Sequence, residues 1–184
     1  MRAYASPMRI KSIASHLRPY VMLARRRTTI NHAFAAAVAP FDTYDEVTVA
    51  RAMLVLGMDP GRDLDCAYCG EPAETWDHIH ATVRNSRFSG YGHRLGNLLP
   101  CCKPCNSKKG SKAWDAHLRS LPMADDLRAE RESAIAAFID LYGYPEFTET
   151  DTPDHQRIEA IRLQVLDLLT EGDAIAARIR NASK

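Results

Sequence analysis

Two Cys-x-x-Cys pairs, Cys66-Ala67-Tyr68-Cys69 and Cys102-Lys103-Pro104-Cys105, constrain the fold of this chain more than any other feature. Four thiolates close a tetrahedral shell around one structural zinc ion, so a chain that uses them this way must bring its residues 66 and 105 together. The 32 residues between the pairs, Gly70 to Cys101, are long for a plain zinc ribbon. They leave room for a strand pair and a loop, with Arg84, Arg87, Arg94 and a Ser89-Gly90-Tyr91-Gly92 turn among them.

Five cysteines with four in ligand spacing point to thiols kept reduced and metallated, hence to a cytoplasmic protein and not to a secreted disulfide framework. The fifth, Cys101, reads as a small buried hydrophobe. No apolar run is long enough to cross a membrane, and no membrane partner is expected. Arg9, Lys11, Arg18 and Arg25 interrupt any secretory signal core. The acid-free stretch before Asp42 reads as a basic arm of the mature protein, an organellar transit peptide being the other reading. The net charge of +1 hides a division: residues 1–119 carry 17 Lys+Arg against 10 Asp+Glu, and residues 120–184 carry 7 against 13. A basic front that holds the cysteine pairs suits a polyanion such as nucleic acid, although scattered solvated charge gives the same count.

Around the pairs stand residues that a zinc knuckle does not need in order to fold: Asp77-His78, Asn97, and Asn106-Ser107-Lys108-Lys109. Hydrolysing a phosphodiester requires a base for the water, a cation for the developing charge and a grip on the phosphate. His78 can be the base, because an imidazole accepts a proton near neutral pH. On a regular strand Asp77 and His78 would point to opposite faces, so their convergence on one site needs a strand end or a bulge there.

The combination Cys-x-x-Cys, Asp-His-Ile, Asn-Leu and Cys-x-x-Cys-Asn-x-x-Lys-Gly resembles the HNH endonucleases over residues 66–110, about a quarter of the chain. The resemblance implies a ββα-metal module, two short strands and a helix around one divalent cation. It gives His78 the role of general base and Asp77 that of first ligand of the catalytic cation. Asn97 becomes the central Asn that holds the loop and the base. Asn106 takes the place of the last cation ligand, and Cys66, Cys69, Cys102 and Cys105 form the structural zinc set. Asn106 stands where the namesake pattern has His, and a neutral oxygen donor suggests Mg²⁺ or Mn²⁺. His80 stands where Pro is frequent. Lys108 and Lys109, read as lying near the start of a short helix from about Pro104, are candidate phosphate contacts, with Lys109 preferred. Arg84 and Arg87 complete the expected DNA contacts.

The flanks read as helical, giving a mainly α chain with one small ββα zinc module, an α+β class. Three regions follow: a basic helical 1–65, the module at 66–121 and an acidic helical 122–184. Spacing predicts a short amphipathic helix from Arg9 to Leu17. A second, Ala-rich run covers Ile30 to Val38 after Arg25-Arg26-Arg27, a cluster that either meets phosphates or caps a solvated helix end. A third helix opens on a Thr43-x-x-Glu46 capping box and ends at Gly57. Beyond the module, Ser111 is expected to cap a helix through Trp114, Leu118 and Leu121. Another runs from about Asp125 to Tyr142, and a last one from Thr152-Pro153 to about Asn181. The last carries a seam of Ile158, Ile161, Val165, Leu168, Gly172, Ile175 and Ile179 that needs a partner. A neighbouring helix of the same chain is favoured over a homodimer zipper, because Gly172 interrupts the seam.

The expectation is therefore a metal-dependent endonuclease acting on double-stranded DNA and leaving a 5′-phosphate and a 3′-hydroxyl, in a restriction-type or phage/defence setting. Homing or methylation-dependent roles fit the same motif. The alternative is a zinc module that binds nucleic acid without cutting. A redox role for the cysteine pairs is disfavoured, since no thioredoxin-like pattern surrounds them.

Overall fold

The computed structural model describes residues 10–144 and 151–182. Six helices, α1 (Met22–Val38), α2 (Glu46–Val55), α3 (Lys103–Lys109), α4 (Trp114–Arg119), α5 (Asp125–Tyr142) and α6 (Pro153–Ala182), surround two short antiparallel strand pairs. The first pairs β1 (Thr75–His78) with β4 (Leu98–Cys101), in the register Thr75 to Cys101 and His78 to Leu98. The second is a hairpin of β2 (Val83–Arg84) and β3 (Arg87–Phe88), turned by Asn85 and Ser86, both at positive φ. β1, β4 and α3 form the expected ββα unit, and the class is mainly α with a small sheet, α+β.

The helices pack where their apolar faces meet the sheet. Met53 of α2, Tyr68, Ile79, Leu99 of β4, Leu118 of α4, and Ile135 and Phe138 of α5 form one buried cluster that includes the second cysteine pair. The ββα unit thus shares its core with helices on both sides of it in sequence.

Several helix ends differ from the sequence reading, each for a tertiary reason. Helix α1 starts at Met22 and not at Ile30, because the Asp173 carboxylate accepts the N–H groups of Met22 and Leu23 at 2.7 and 3.0 Å, a cap supplied from about 150 positions away. Arg25, Arg26 and Arg27 are therefore helical. Helix α2 is capped by Asp45 and not by Thr43: the Asp45 carboxylate accepts from the Thr48 N–H at 3.0 Å and from the Thr48 hydroxyl. Its other end closes as expected on Gly57, at φ +74°, with Met58 N–H bonded to Met53 O and Gly57 N–H to Leu54 O. Ser111 caps nothing, since α4 begins after Ala113 with no side-chain cap.

Arg9 lies outside the described residues, and Ile10–Ser15 is a 3₁₀ segment with Ile10 and Leu17 exposed. Without a surface to bury its apolar positions, so short a stretch cannot offset the cost of nucleating an α-helix. Helices α5 and α6 run as expected. The α6 seam lies partly against α1, where a Cβ on Gly172 would sit 2.8 Å from Met22 Cε, so the glycine permits the contact that had been read as an interruption. Leu168 and Ile179 of the same seam stay exposed. No helix among the described residues is long and apolar enough to cross a membrane.

Candidate active site and metal centre

The first cysteine pair sits on a tight loop closed by Gly70 N–H to Cys66 O at 2.9 Å. Gly70 is required by its φ of +80°, and a Cβ there would also push on the Arg131 guanidinium, 2.5 Å away. Arg131 in turn donates to the carbonyls of Cys66 and Ala67. The second pair straddles the start of α3. Cys102 is its N-cap, the Cys102 sulfur accepts from Cys105 N–H at 3.4 Å, and Pro104 occupies the first turn, where its missing N–H costs nothing.

These two loops bring the sulfurs of Cys66, Cys69, Cys102 and Cys105 within 4.8 Å of one another. A tetrahedral thiolate shell at about 2.3 Å per metal–sulfur bond puts its sulfurs roughly 3.8 Å apart, so the four residues are close enough to hold a metal ion and their chemistry suits zinc. Cys101 is buried, as expected of a small hydrophobe. Its thiol lies 3.9 Å from the Cys66 sulfur, a contact that lowers the Cys66 pKa, whereas burial raises those of Cys69 and Cys105.

Next to the thiolates, β1 presents Asp77 and His78 on opposite faces, as strict alternation requires. Asp77 faces inward. Its carboxylate accepts from Tyr68 OH at 2.8 Å and pairs with Lys109 Nζ at 3.1 Å, with both side chains of the ion pair buried. Burial raises its pKa, while Lys109 and Tyr68 draw it back. Lys109 also donates to the His78 carbonyl at 2.6 Å. It is thus the internal counter-ion of the strand and presents no ammonium to DNA. The reason is that Lys108 and Lys109 lie in the last turn of α3, which begins at Lys103, so neither is at the positive end of the helix. Lys108 is exposed.

His78 ends β1, and its ring turns to the other side, where Nε2 lies 3.0 Å from His93 Nδ1. Burial first, and then His93, Lys109 and His32, hold the His78 imidazole down at about 4. A ring neutral at ordinary pH can accept a proton. Asn97 fixes the loop beneath it. Its Oδ1 accepts from His80 N–H at 2.8 Å, and its Nδ2 donates to the carbonyls of His80 and Gly92 at 3.1 and 2.9 Å. His80 itself stacks on Tyr91, with ring centroids 4.2 Å apart.

A cavity of about 400 Å³ opens beside β1, and Asp77, His78, His93 and Asn106 border it together with His32 of α1. Asp77, His78 and Asn106 all line this hollow, but β1 is regular at this point and the Asp77 carboxylate stays on the inner face with Tyr68 and Lys109. The Asn106 carboxamide has no hydrogen-bond partner among the described residues. Arg84 is exposed, and Arg87 reaches Glu159 of α6 at 3.1 Å, so the hairpin docks on the helices.

Sequence reasoning missed His93, His32 and Tyr68. His93 closes the Gly90-Tyr91-Gly92 turn, and His93 N–H bonds Pro40 O at 2.8 Å. A histidine at the end of a glycine turn was the available signal. Nothing in the sequence indicated that α1 would border the cavity.

The ββα unit carries four cysteines placed to hold a metal ion and a histidine-lined hollow beside them. Residues 66–112, about a quarter of the chain, match the family model described as HNH endonuclease. No curated protein and no solved structure gives a match to the chain.

Proposed function

We propose that the protein is a metal-dependent DNA endonuclease that hydrolyses phosphodiester bonds to a 5′-phosphate and a 3′-hydroxyl. The observation that carries this reading is that His78, Asp77 and Asn106 border one hollow inside the HNH-matching segment. His78 is the general base: His93 engages its Nε2, which leaves Nδ1 for the attacking water. Asn97 holds the backbone on either side of the hollow, so the base enters the reaction already oriented.

Asp77 and Asn106 supply oxygen donors of the kind a hard cation prefers. A carboxylate has about four lone-pair sites, so Asp77 keeps acceptor capacity beyond its bonds to Tyr68 and Lys109. These residues fit Mg²⁺ or Mn²⁺, whose chemistry there would be to neutralise charge on the phosphoryl oxygens and the leaving group. Zinc on the four cysteines would hold β4 and α3 in register beneath the base. Arg84 and Lys108 are exposed and suited to DNA phosphates, with Arg87 beside them.

One site of this kind cuts one strand. Cutting both requires two copies, and the exposed Leu168, Ile175 and Ile179 of α6 would give a homodimer its contact. We place such an enzyme in the cytoplasm, where thiolates stay reduced, in a restriction or phage/defence role. A non-cutting zinc module that binds nucleic acid is the second reading. The buried Asp77–Lys109 pair favours it, because there the carboxylate serves the fold.

The test is incubation of the purified protein with supercoiled and linear DNA in Mg²⁺, Mn²⁺ and chelator, followed by mapping of the ends. Metal-dependent nicking with 5′-phosphate ends supports the enzyme. Intact DNA under all metal conditions leaves the binding module.

A further inference from the structure

Helix α1 lies outside the HNH segment, yet it borders the catalytic hollow through His32 and Ala36. Its opposite side is spent on packing. Asn31 and Ala35 are buried, and Arg162 of α6 donates to Asn31 Oδ1 at 2.6 Å. At about 100° per residue, Arg25, Thr29, His32 and Ala36 fall within one narrow stripe facing away from that packed side, with Arg26 at its edge. All five are exposed.

The stripe has the chemistry of a phosphate track. It offers guanidinium, hydroxyl and imidazole donors, with small alanines between them that let a backbone approach closely. The whole of α1 contains no acidic residue, and Arg25, Arg26 and Arg27 form no ion pair among the described residues. Folding does not account for them: they follow closely on the positive end of the helix, where the dipole does not reward a cation, and that end is already capped by Asp173. A rise of about 1.5 Å per residue puts Arg25 roughly 10 Å from His32 along the axis. That distance is about three base steps of duplex at about 3.4 Å each.

Resting on the endonuclease reading, we infer that α1 is the DNA-seating element of the site: its Arg25, Thr29 and His32 stripe holds the sugar-phosphate backbone of the strand being cut and leads it into the hollow at His78. Such contacts go to phosphates and carry no base information, so they contribute affinity and register without sequence preference.

The test measures binding of a fluorescent DNA duplex to the full-length His78→Ala protein across roughly 50 to 200 mM salt. Adding Arg25→Gln and Arg26→Gln should weaken binding on the order of tenfold and reduce the slope of log affinity against log salt by about 0.9 per lost phosphate contact, near 2 in all. A control of equal charge, Arg62→Gln with Arg119→Gln, should leave the slope close to that of its parent. An unchanged slope in the α1 variant, or an equal loss in the control, overturns the inference. Hydrogen–deuterium exchange of the protein without the arginine changes gives an independent reading: duplex should slow the α1 amides over residues 25–36, and no slowing there also overturns it. Failure of the enzyme reading looks different, because the native protein would then leave plasmid intact while the α1 slope change persisted.

Discussion

His78 Nε2 and His93 Nδ1 lie 3.0 Å apart, and this contact occupies one of the two ring nitrogens of the proposed base. His93 is held by its own backbone bond to Pro40, so the orientation of the His78 ring depends on the chain that follows α1 as well as on the segment that matches the family model. His93→Ala should therefore lower kcat roughly 10- to 100-fold, the usual cost of losing a partner that orients a functional group, with KM nearly unchanged. His93→Gln should restore part of that loss. Steady-state cleavage of a labelled duplex checks both, and a rise in KM without a fall in kcat would contradict the assignment.

The Asp77–Lys109 pair is buried on both sides. Lys109→Met should leave a buried carboxylate without its counter-ion and cost about 3–5 kcal/mol in stability. Asp77→Asn combined with Lys109→Met should recover much of this. Urea denaturation of the native protein, Lys109→Met, Asp77→Asn and the double variant measures the coupling, and additive losses would show that the two side chains do not act as a pair.

Cys102→Ser should release metal from the proposed four-cysteine site and destabilise the segment, because Cys102 is at once a candidate ligand and the N-cap of α3. Zinc stoichiometry by elemental analysis should fall, and a chelator should reproduce the effect on the native protein. Unchanged stoichiometry would contradict the four-thiolate assignment.

Gly96 leaves no room for a side chain, since a Cβ there would fall 1.8 Å from the carbonyl oxygen of Tyr142 at the end of α5. Gly96→Ala should force backbone apart next to Asn97 and cost about 1–3 kcal/mol. Thermal unfolding reads this directly, and an unchanged Tm would mean that the α5 end does not press on the loop.

Glu159 accepts from Arg162 and pairs with Arg87 where α6 meets α1 and the hairpin. The Arg162 hydrogen bonds are the largest cause holding its carboxyl below the usual glutamate range, with burial opposing them. A depressed folded pKa adds stability above the unfolded value of about 4.3 and loses it as pH falls through the folded value. Glu159→Gln should therefore be less stable than the native protein near neutral pH and converge towards it as the pH drops below about 4. A constant gap across that range would contradict the linkage.

The parts of the site legible in the sequence are those whose geometry is local. Cys-x-x-Cys spacing fixed both knuckles, and the β1–β4–α3 order followed from Asp77-His78, Asn97 and Asn106 lying between and beside them. Helices α5 and α6 were legible from Pro153, Gly143 and their apolar spacing. What escaped depends on distant partners. Asp173 sets the start of α1, and the core around Tyr68 draws Lys109 inward. Gly172, read as a break in a seam, is where α6 meets Met22. None of these contacts leaves a periodic trace, because each joins residues far apart in the chain.

Plasmid cleavage by His78→Ala beside the native protein, with zinc content and folding measured on the same samples, tests the central claim most directly. The native protein should nick supercoiled DNA in Mg²⁺ or Mn²⁺, and the variant should lose about 10²- to 10⁴-fold in rate while keeping its zinc, its fold and its DNA binding. Equal cleavage by both proteins would show that His78 is not the base.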